Sequence, residues 1–417
     1  MLALGRIKRY DPRRKRGSRP FFSITDEERM RHLWLLGKSG QGKSTALANF
    51  IAQDIAAGRG LALIDPHGDL AETVLSLIPP QRRSETVYFA PADRAFPIGF
   101  NPLAKIARDD RPLVAAAITE AFRNLWSDSW GPQLEQFLYN AVAALLDMPG
   151  GTLLGVKYIL TSKTYRARVV AHIADPEIRQ FWLKDFAEHM PEKEQRERTL
   201  STLNKIGQFI ADPAIRNILG QPRNRLDLAG VMDEGGIFIA NLAQGAIGVR
   251  KANLLGSLIA SSFHTAALRR RETRRPFFLY VDEFHSFGST VFADMLSGIR
   301  KFGVSLTLAH QYVSQLSPPL RDALIGTVGI TIAFRLGGGD AELLGNEFGL
   351  APRDFTTLPP FAAQARADDD TRRLAMPGLT VKRYPSALRK IIRRCHSQCS
   401  TERPTVENRI ERFISAT

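Results

Sequence analysis

The tightest constraint on this chain is one run of residues: Gly37-Lys38-Ser39-Gly40-Gln41-Gly42-Lys43-Ser44-Thr45. It fits G-x-x-x-x-G-K-[ST] without a mismatch. An apolar run, Leu33-Trp34-Leu35-Leu36, leads into it, and a helical pattern follows from Ser44 to about Ala57, ended by Gly58 and Gly60. Strand, glycine loop and helix in that order form a phosphate cradle. The glycines let successive backbone N–H groups turn inward at the positive end of the helix. Lys43 then reaches the β- and γ-phosphates, and the Ser44 hydroxyl faces a magnesium ion. The expected ligands are ATP and Mg²⁺. A chance glycine-rich turn would not come with this flanking pattern.

The strand rhythm continues with Leu61-Ala62-Leu63-Ile64, closed by Asp65-Pro66-His67-Gly68-Asp69, and with Thr86-Val87-Tyr88-Phe89. Alternating apolar strands and helices predict a parallel sheet covered on both faces. From about Ala104 to Arg225 the periodicity is helical, as in Gln133–Leu146. Strands then resume at Ile237–Ala240, Phe277–Val281, Ser305–Ala309 and Gly329–Phe334. The fold expected is α/β: a RecA-like P-loop NTPase domain with a mostly parallel sheet, interrupted by an all-α insertion. The boundaries read as a basic N-terminal arm without fixed structure over 1–31, a discontinuous ATPase domain over 32–104 and 226–385, and an all-α domain over 105–225. A basic tail over 386–417 carries a last helix near Val406–Ile414. The length of 417 residues accommodates two domains.

Phe277-Phe278-Leu279-Tyr280-Val281 delivers Asp282-Glu283 at its carboxyl end, where ligands sit in open α/β sheets. Asp282 is placed to hold magnesium, and Glu283 to take a proton from the water attacking the γ-phosphate. An acidic turn that merely caps the next segment is the alternative. Ser305–Ala309 leads to His310-Gln311, where an amide could orient water; a solvated strand end fits the spacing equally well.

These residues resemble the conjugative coupling proteins of the TraD/TrwB kind, within the HerA–FtsK group of ring-shaped DNA-pumping ATPases. The resemblance runs from about His32 to Arg409. It rests on the P-loop, Leu63–Leu70, Asn101-Pro102-Leu103, Trp130-Gly131-Pro132, Leu279–Phe284, Ala309-His310-Gln311 and Phe334–Leu343. It implies a homo-oligomer, a hexamer with ATP between subunits, DNA in the central channel and a helical domain at one mouth. It also implies a catalytic role for Gln311, and for Arg300 as an arginine finger reaching a neighbour's site, with Arg335 as a second candidate. Arg300-Lys301 also fits a solvated helix end. The implied partners are DNA and secretion-system or DNA-processing proteins. Coupling proteins of the membrane-anchored kind begin with spanning helices, and no run here approaches the ~18 apolar residues such a helix needs. The expected location is therefore cytoplasmic, or peripheral at the inner membrane through partners.

The formal net charge of +15 calls for an anionic partner, nucleic acid or a membrane surface. Arg269, Arg270, Arg271, Arg274 and Arg275 form a cluster before the Phe277 strand, at the sheet edge opposite ATP. They suit either channel DNA or a solvated run. Trp126 and Trp130 suit either base stacking or helix packing, and Asp65 and Asp69 either the magnesium shell or a helix cap. Cys395 and Cys399 exclude a disulfide framework, and with His396 they lack the fourth ligand of a structural zinc. The leading function is an ATP-hydrolysing DNA motor for conjugative transfer through a type IV secretion system. The alternatives are a HerA-like translocase in DNA processing or repair, a nucleotide-gated receptor with little turnover, and a protein-translocating ATPase.

Overall fold

Leu33–Leu36, Gly60–Asp65, Ile237–Asn241, Phe277–Val281 and Val304–His310 are buried at every position. Strands covered on both faces have no solvent side to alternate toward, so they read as continuous apolar runs. In the computed structural model, which describes residues 1–7, 21–270 and 275–417, they form the middle of an 11-stranded sheet.

The strands are β1 (Leu2–Ile7), β2 (Phe21–Ile24), β3 (Leu33–Leu36), β4 (Gly60–Asp65), β5 (Thr86–Phe89), β6 (Ile237–Asn241), β7 (Phe277–Val281), β8 (Val304–His310), β9 (Ile330–Ala333), β10 (Ala362–Ala367) and β11 (Asp370–Ala375). Their order is β2-β1-β11-β10-β9-β3-β8-β7-β4-β6-β5. From β9 to β6 the pairs are parallel. The register sets Leu36 beside His310, and Val281 beside both Leu308 and Ile64. The carboxyl ends of β3, β8, β7 and β4 therefore share one edge. Because β8 lies between β3 and β7, its last residues stand between the glycine loop and the acidic pair.

Two expectations need correcting. The stretch read as an arm without fixed structure supplies β1 and β2, which pair with each other, while β1 also pairs with β11; residues 8–20, with most of its basic side chains, lie outside the described residues. The tail over 386–417, read with one last helix, carries two, and a strand precedes it. The strand is β11, and the helices are Ala387–Gln398 and Arg403–Ser415. β10 and β11 make a hairpin with Asp368-Asp369 at its tip, where Asp368 takes a φ of 51° that a short polar residue tolerates.

The chain divides into two compact units. One holds Met1–Tyr88, Leu228–Asn241 and Ala266–Ile392; the other holds Phe89–Asp227, Leu242–Thr265 and Arg393–Thr417. The second unit thus takes in stretches on both sides of the helical segment read from the sequence. Its core is built on the long helices Arg111–Leu125, Pro132–Asp147 and Glu192–Ile210. Trp126 is a packing residue there, against Phe122 and Phe209. Trp130 is tied to Glu135 through its indole N–H. The last helix belongs to this unit, with Val406 and Ile410 against Leu154, and Phe413 against Tyr158 and Tyr165. His396 stacks on Phe96 and bonds Asp93 at 2.6 Å, which employs its ring without a metal.

In the first unit a buried ion pair joins the N-terminal segment to the sheet. Arg29 Nη1 and Nη2 donate to Asp54 at 2.6 and 2.7 Å, and Tyr280 Oη donates to the same carboxylate at 2.7 Å. Arg29 also lies over the Phe278 ring. Every charge in this triad is matched, as full burial requires.

Candidate active site

Three glycines shape the loop, each for its own reason. At Gly37 a Cβ would stand 2.5 Å from Phe334 Cβ, so no side chain fits. Gly40 has φ of 75° with open space around it, so its reason is the left-handed backbone alone. Gly42 combines φ of 110° with a neighbour, Phe361 Cδ1, 2.8 Å from where a Cβ would stand. It starts the helix Lys43–Ala56, whose first N–H groups lack carbonyl partners and point at the loop. The Lys38 N–H donates to the Arg335 carbonyl at 3.1 Å, fixing the loop to the end of β9.

Lys43 is buried and its ammonium donates to the Gly37 carbonyl at 2.5 Å. Burial lowers its pKa, while Glu283 and Asp282 nearby work to raise it. Ser44 is exposed on the first turn of the helix, free to meet a ligand.

Asp282 and Glu283 are both buried at the end of β7. Asp282 is pushed up to about 7, chiefly by burial, then by the facing carboxylates Asp65 and Glu283, with Lys43 opposing. Such a cluster is short of positive charge, and a divalent cation restores the balance. Mg²⁺ suits this site because it is held by one or two protein oxygens and completes its shell with water and phosphate. Ser44, exposed on the helix, and Asp282, buried at the strand end, are the two oxygen donors that could hold such an ion. Asp65 is committed to the backbone, accepting from the His67 and Ala71 N–H groups at 2.9 Å each, and so caps the helix Asp69–Leu77.

Glu283 sits in the left-handed region with φ of 45°, an uncommon place for a residue with a side chain. Its Oε1 accepts from Gln311 Nε2 at 3.0 Å, and its Oε2 is buried with no hydrogen-bond partner among the described residues. Gln311 Oε1 in turn accepts from Ser39 Oγ at 3.1 Å. Gln311 therefore bridges the general-base candidate and the phosphate loop, which is more than a solvated strand end does.

The sequence reading missed the residues behind this bridge. Gln315 Oε1 accepts from the Gln311 and Tyr312 N–H groups at 3.1 Å, and its amide nitrogen lies 3.1 Å from His285 Nε2. His285 Nδ1 lies 3.5 Å from Glu283 Oε2. Beneath them the His310 ring accepts from Trp34 Nε1 at 2.8 Å, and burial depresses it to about 3. It is a neutral acceptor in the floor of the site. The only sequence signal for this group was polar residues crowding just beyond two apolar strands.

The arginines separate. Arg335 is exposed beside the loop of its own chain and donates from Nε to the Thr356 carbonyl at 3.0 Å. Arg300 is exposed in the turn Ile299–Phe302 that precedes β8, near His32 next to β3, whose ring is lowered chiefly by burial and further by the Arg300 charge. It thus lies at the amino end of the strands, away from its own P-loop. Among the cluster before β7, Arg270 is a correction. Its side chain is buried, pairs with Asp233 at 2.8 Å and donates to the carbonyls of Phe302, Gly303, Met232 and Arg275. It is occupied holding the chain and cannot also face DNA. Arg269 is half-buried and Arg275 exposed, while Arg271 and Arg274 lie outside the described residues.

Solved structures share this architecture. The bacterial conjugative coupling protein TrwBdeltaN70 superposes with a TM-score of 0.64 at 15% identity, covering 87% of this chain and 88% of that one. The chain has the fold of TrwB. VirB4 of Thermoanaerobacter pseudethanolicus superposes with a TM-score of 0.61 at 15% identity, over 91% of this chain and 97% of that chain. TrwB has also been solved in complex with ADP and Mg²⁺, with a TM-score of 0.63 and 15% identity over 87% of this chain and 89% of that one. No protein-family model matches the chain, and no curated protein sequence matches it. Among the described residues no helix is long and apolar enough to cross a membrane.

Proposed function

We propose that this chain is an ATP-hydrolysing motor that binds and moves DNA, in the manner of a coupling ATPase of type IV secretion. The observation that carries the proposal is the bridge Ser39–Gln311–Glu283, set between a complete phosphate loop and a carboxylate cluster short of positive charge. That arrangement joins triphosphate binding to activation of water at one sheet edge.

ATP lies with its phosphates on the N–H groups of Gly40–Thr45, and Lys43 moves from the Gly37 carbonyl to the β- and γ-phosphates. Mg²⁺ held by Ser44 and Asp282 would neutralise phosphate charge. Glu283 accepts a proton from water as the water oxygen bonds to the γ-phosphorus. The bond from that phosphorus to the bridging oxygen breaks, and ADP leaves with the electron pair. Gln311 holds Glu283 and senses the phosphate loop through Ser39, so loss of the γ-phosphate changes both contacts.

Arg300 serves a neighbouring subunit, since it stands away from its own P-loop. The working unit is a head-to-tail ring, a hexamer, in which each chain completes the next one's site. The coupling-protein and VirB4 folds of the neighbours favour this reading, and the net charge of +15 favours DNA as the track. Arg269 and Arg275 are the described candidates for DNA contacts from the cluster before β7. Glu283→Gln tests the chemistry. It keeps shape and one hydrogen-bonding oxygen, so ATP should bind as in the wild type and turn over at least 100-fold more slowly. Lost affinity with unchanged turnover removes Glu283 from the role of base.

A further inference from the structure

The two flanks of the phosphate loop differ in chemistry. On one side of β3 lie β8 and β7, which bring Gln311, Asp282 and Glu283. On the other side lie β9 and β10, and there the loop meets aromatic rings. Since the γ-phosphate must face the catalytic side, the sugar and base of a bound nucleotide run toward the aromatic side. Phe334, just past β9, is fully buried and wedges under Gly37. Phe361, just before β10, lies with its ring against Gly42 and is 46% exposed as a residue.

Phe361 is held in place from both ends. Its N–H donates to the Gln41 carbonyl at 3.0 Å, and its carbonyl accepts from the Met376 N–H at 2.8 Å. It is the third residue of the turn Pro359–Ala362, closed by the Ala362 N–H on the Pro359 carbonyl at 3.1 Å, and its φ is 60°. Proline suits the second position of such a turn, and Pro360 occupies it. The third position, with φ positive, favours glycine or asparagine. A phenylalanine there is strained, and its exposed ring recovers little by burial. Strain and exposure coincide at a residue bonded directly to the phosphate loop.

We propose that Phe361 is the platform for the nucleotide base: the purine stacks on the exposed face of its ring while the phosphates occupy Gly40–Thr45. This rests on the reading of the loop as an ATP site and assigns the base end of that site. Stacking uses a π-face that every base has, so the platform contributes affinity with little selection among bases.

The test is calorimetric titration of the full chain with ADP and, separately, with inorganic tripolyphosphate. Phe361→Leu, with an unchanged thermal melt, should weaken ADP about tenfold or more and leave tripolyphosphate unaltered. Phe361→Tyr should retain ADP, and Lys43→Ala should lose both ligands. In Phe361→Trp, ADP should quench the added fluorescence and tripolyphosphate should not, which tests the stacking independently of any folding defect in the leucine variant. Wild-type ADP affinity in Phe361→Leu, or equal loss of both ligands, overturns the platform. So does a Phe361→Trp signal that ignores the base. If Lys43→Ala binds both ligands as the wild type does, the ATP site itself has been misassigned.

Discussion

Asp282→Asn should make the ligand-free protein more stable at alkaline pH while removing its magnesium-dependent function. Asp282 is raised from the usual 3.8 to about 7 by burial among Asp65 and Glu283. A carboxyl whose folded pKa lies above its unfolded one favours the folded state in its protonated form. Its contribution is fully present below the unfolded value of 3.8 and is lost as pH rises through about 7. At pH 8.5 the ionised group costs up to about 4 kcal/mol relative to a neutral one, from roughly three pKa units at 1.36 kcal/mol each. Near pH 4 the same arithmetic leaves under about 1 kcal/mol. The asparagine keeps an oxygen for the Glu283 N–H, which Asp282 Oδ1 now accepts at 3.0 Å. Urea unfolding of both proteins without nucleotide, at pH 8.5 and pH 4, reads the difference directly. The variant should gain about 2–4 kcal/mol at the higher pH and little at the lower. A variant less stable than wild type at pH 8.5 refutes the electrostatic reasoning. Added Mg²⁺ and ADP should stabilise the wild type more than the variant, because only the wild type supplies the carboxylate.

Arg300→Ala should bind ATP but fail to hydrolyse it, and should regain part of its activity when mixed with Glu283→Gln. In a mixed ring an intact base on one subunit meets an intact finger on the next; hydrolysis by Arg300→Ala alone at the wild-type rate excludes the role. Arg335→Ala is the control, and its loss of activity without recovery on mixing would mark a residue acting on its own chain's loop. Arg270→Ala should lower unfolding stability by about 3 kcal/mol, because four backbone carbonyls and Asp233 lose their donor. A loss below about 0.5 kcal/mol in urea would return Arg270 to the solvated surface.

The parallel half of the sheet was legible because its strands are buried on both faces, which leaves unbroken apolar runs such as Leu33–Leu36 and Phe277–Val281. The loop motif and the acidic pair were legible because their chemistry dictates both residue type and position. The antiparallel half was not. β11 reads Asp370-Thr371-Arg372-Arg373-Leu374-Ala375, and its charges look like a solvated tail until pairing with β10 and β1 gives it a place. β1, with its single glycine and Arg6 ahead of its last residue, lacks a period of its own and acquires one from β2 and β11. Arg270 looked like its basic neighbours because nothing local shows that Phe302 and Gly303 would present their carbonyls to it. The meeting of His285 with Gln315, and of Phe361 with Gln41, spans long sequence separations through contacts that only the assembled sheet creates.

In the ring proposed for this chain, ATP is hydrolysed on DNA. ATP turnover measured against added DNA, with particle mass determined in the same samples, tests it most directly. Activity per chain should rise steeply with protein concentration and with DNA, in step with the appearance of assemblies near six chains. Full turnover by dilute single chains, indifferent to DNA, would contradict it.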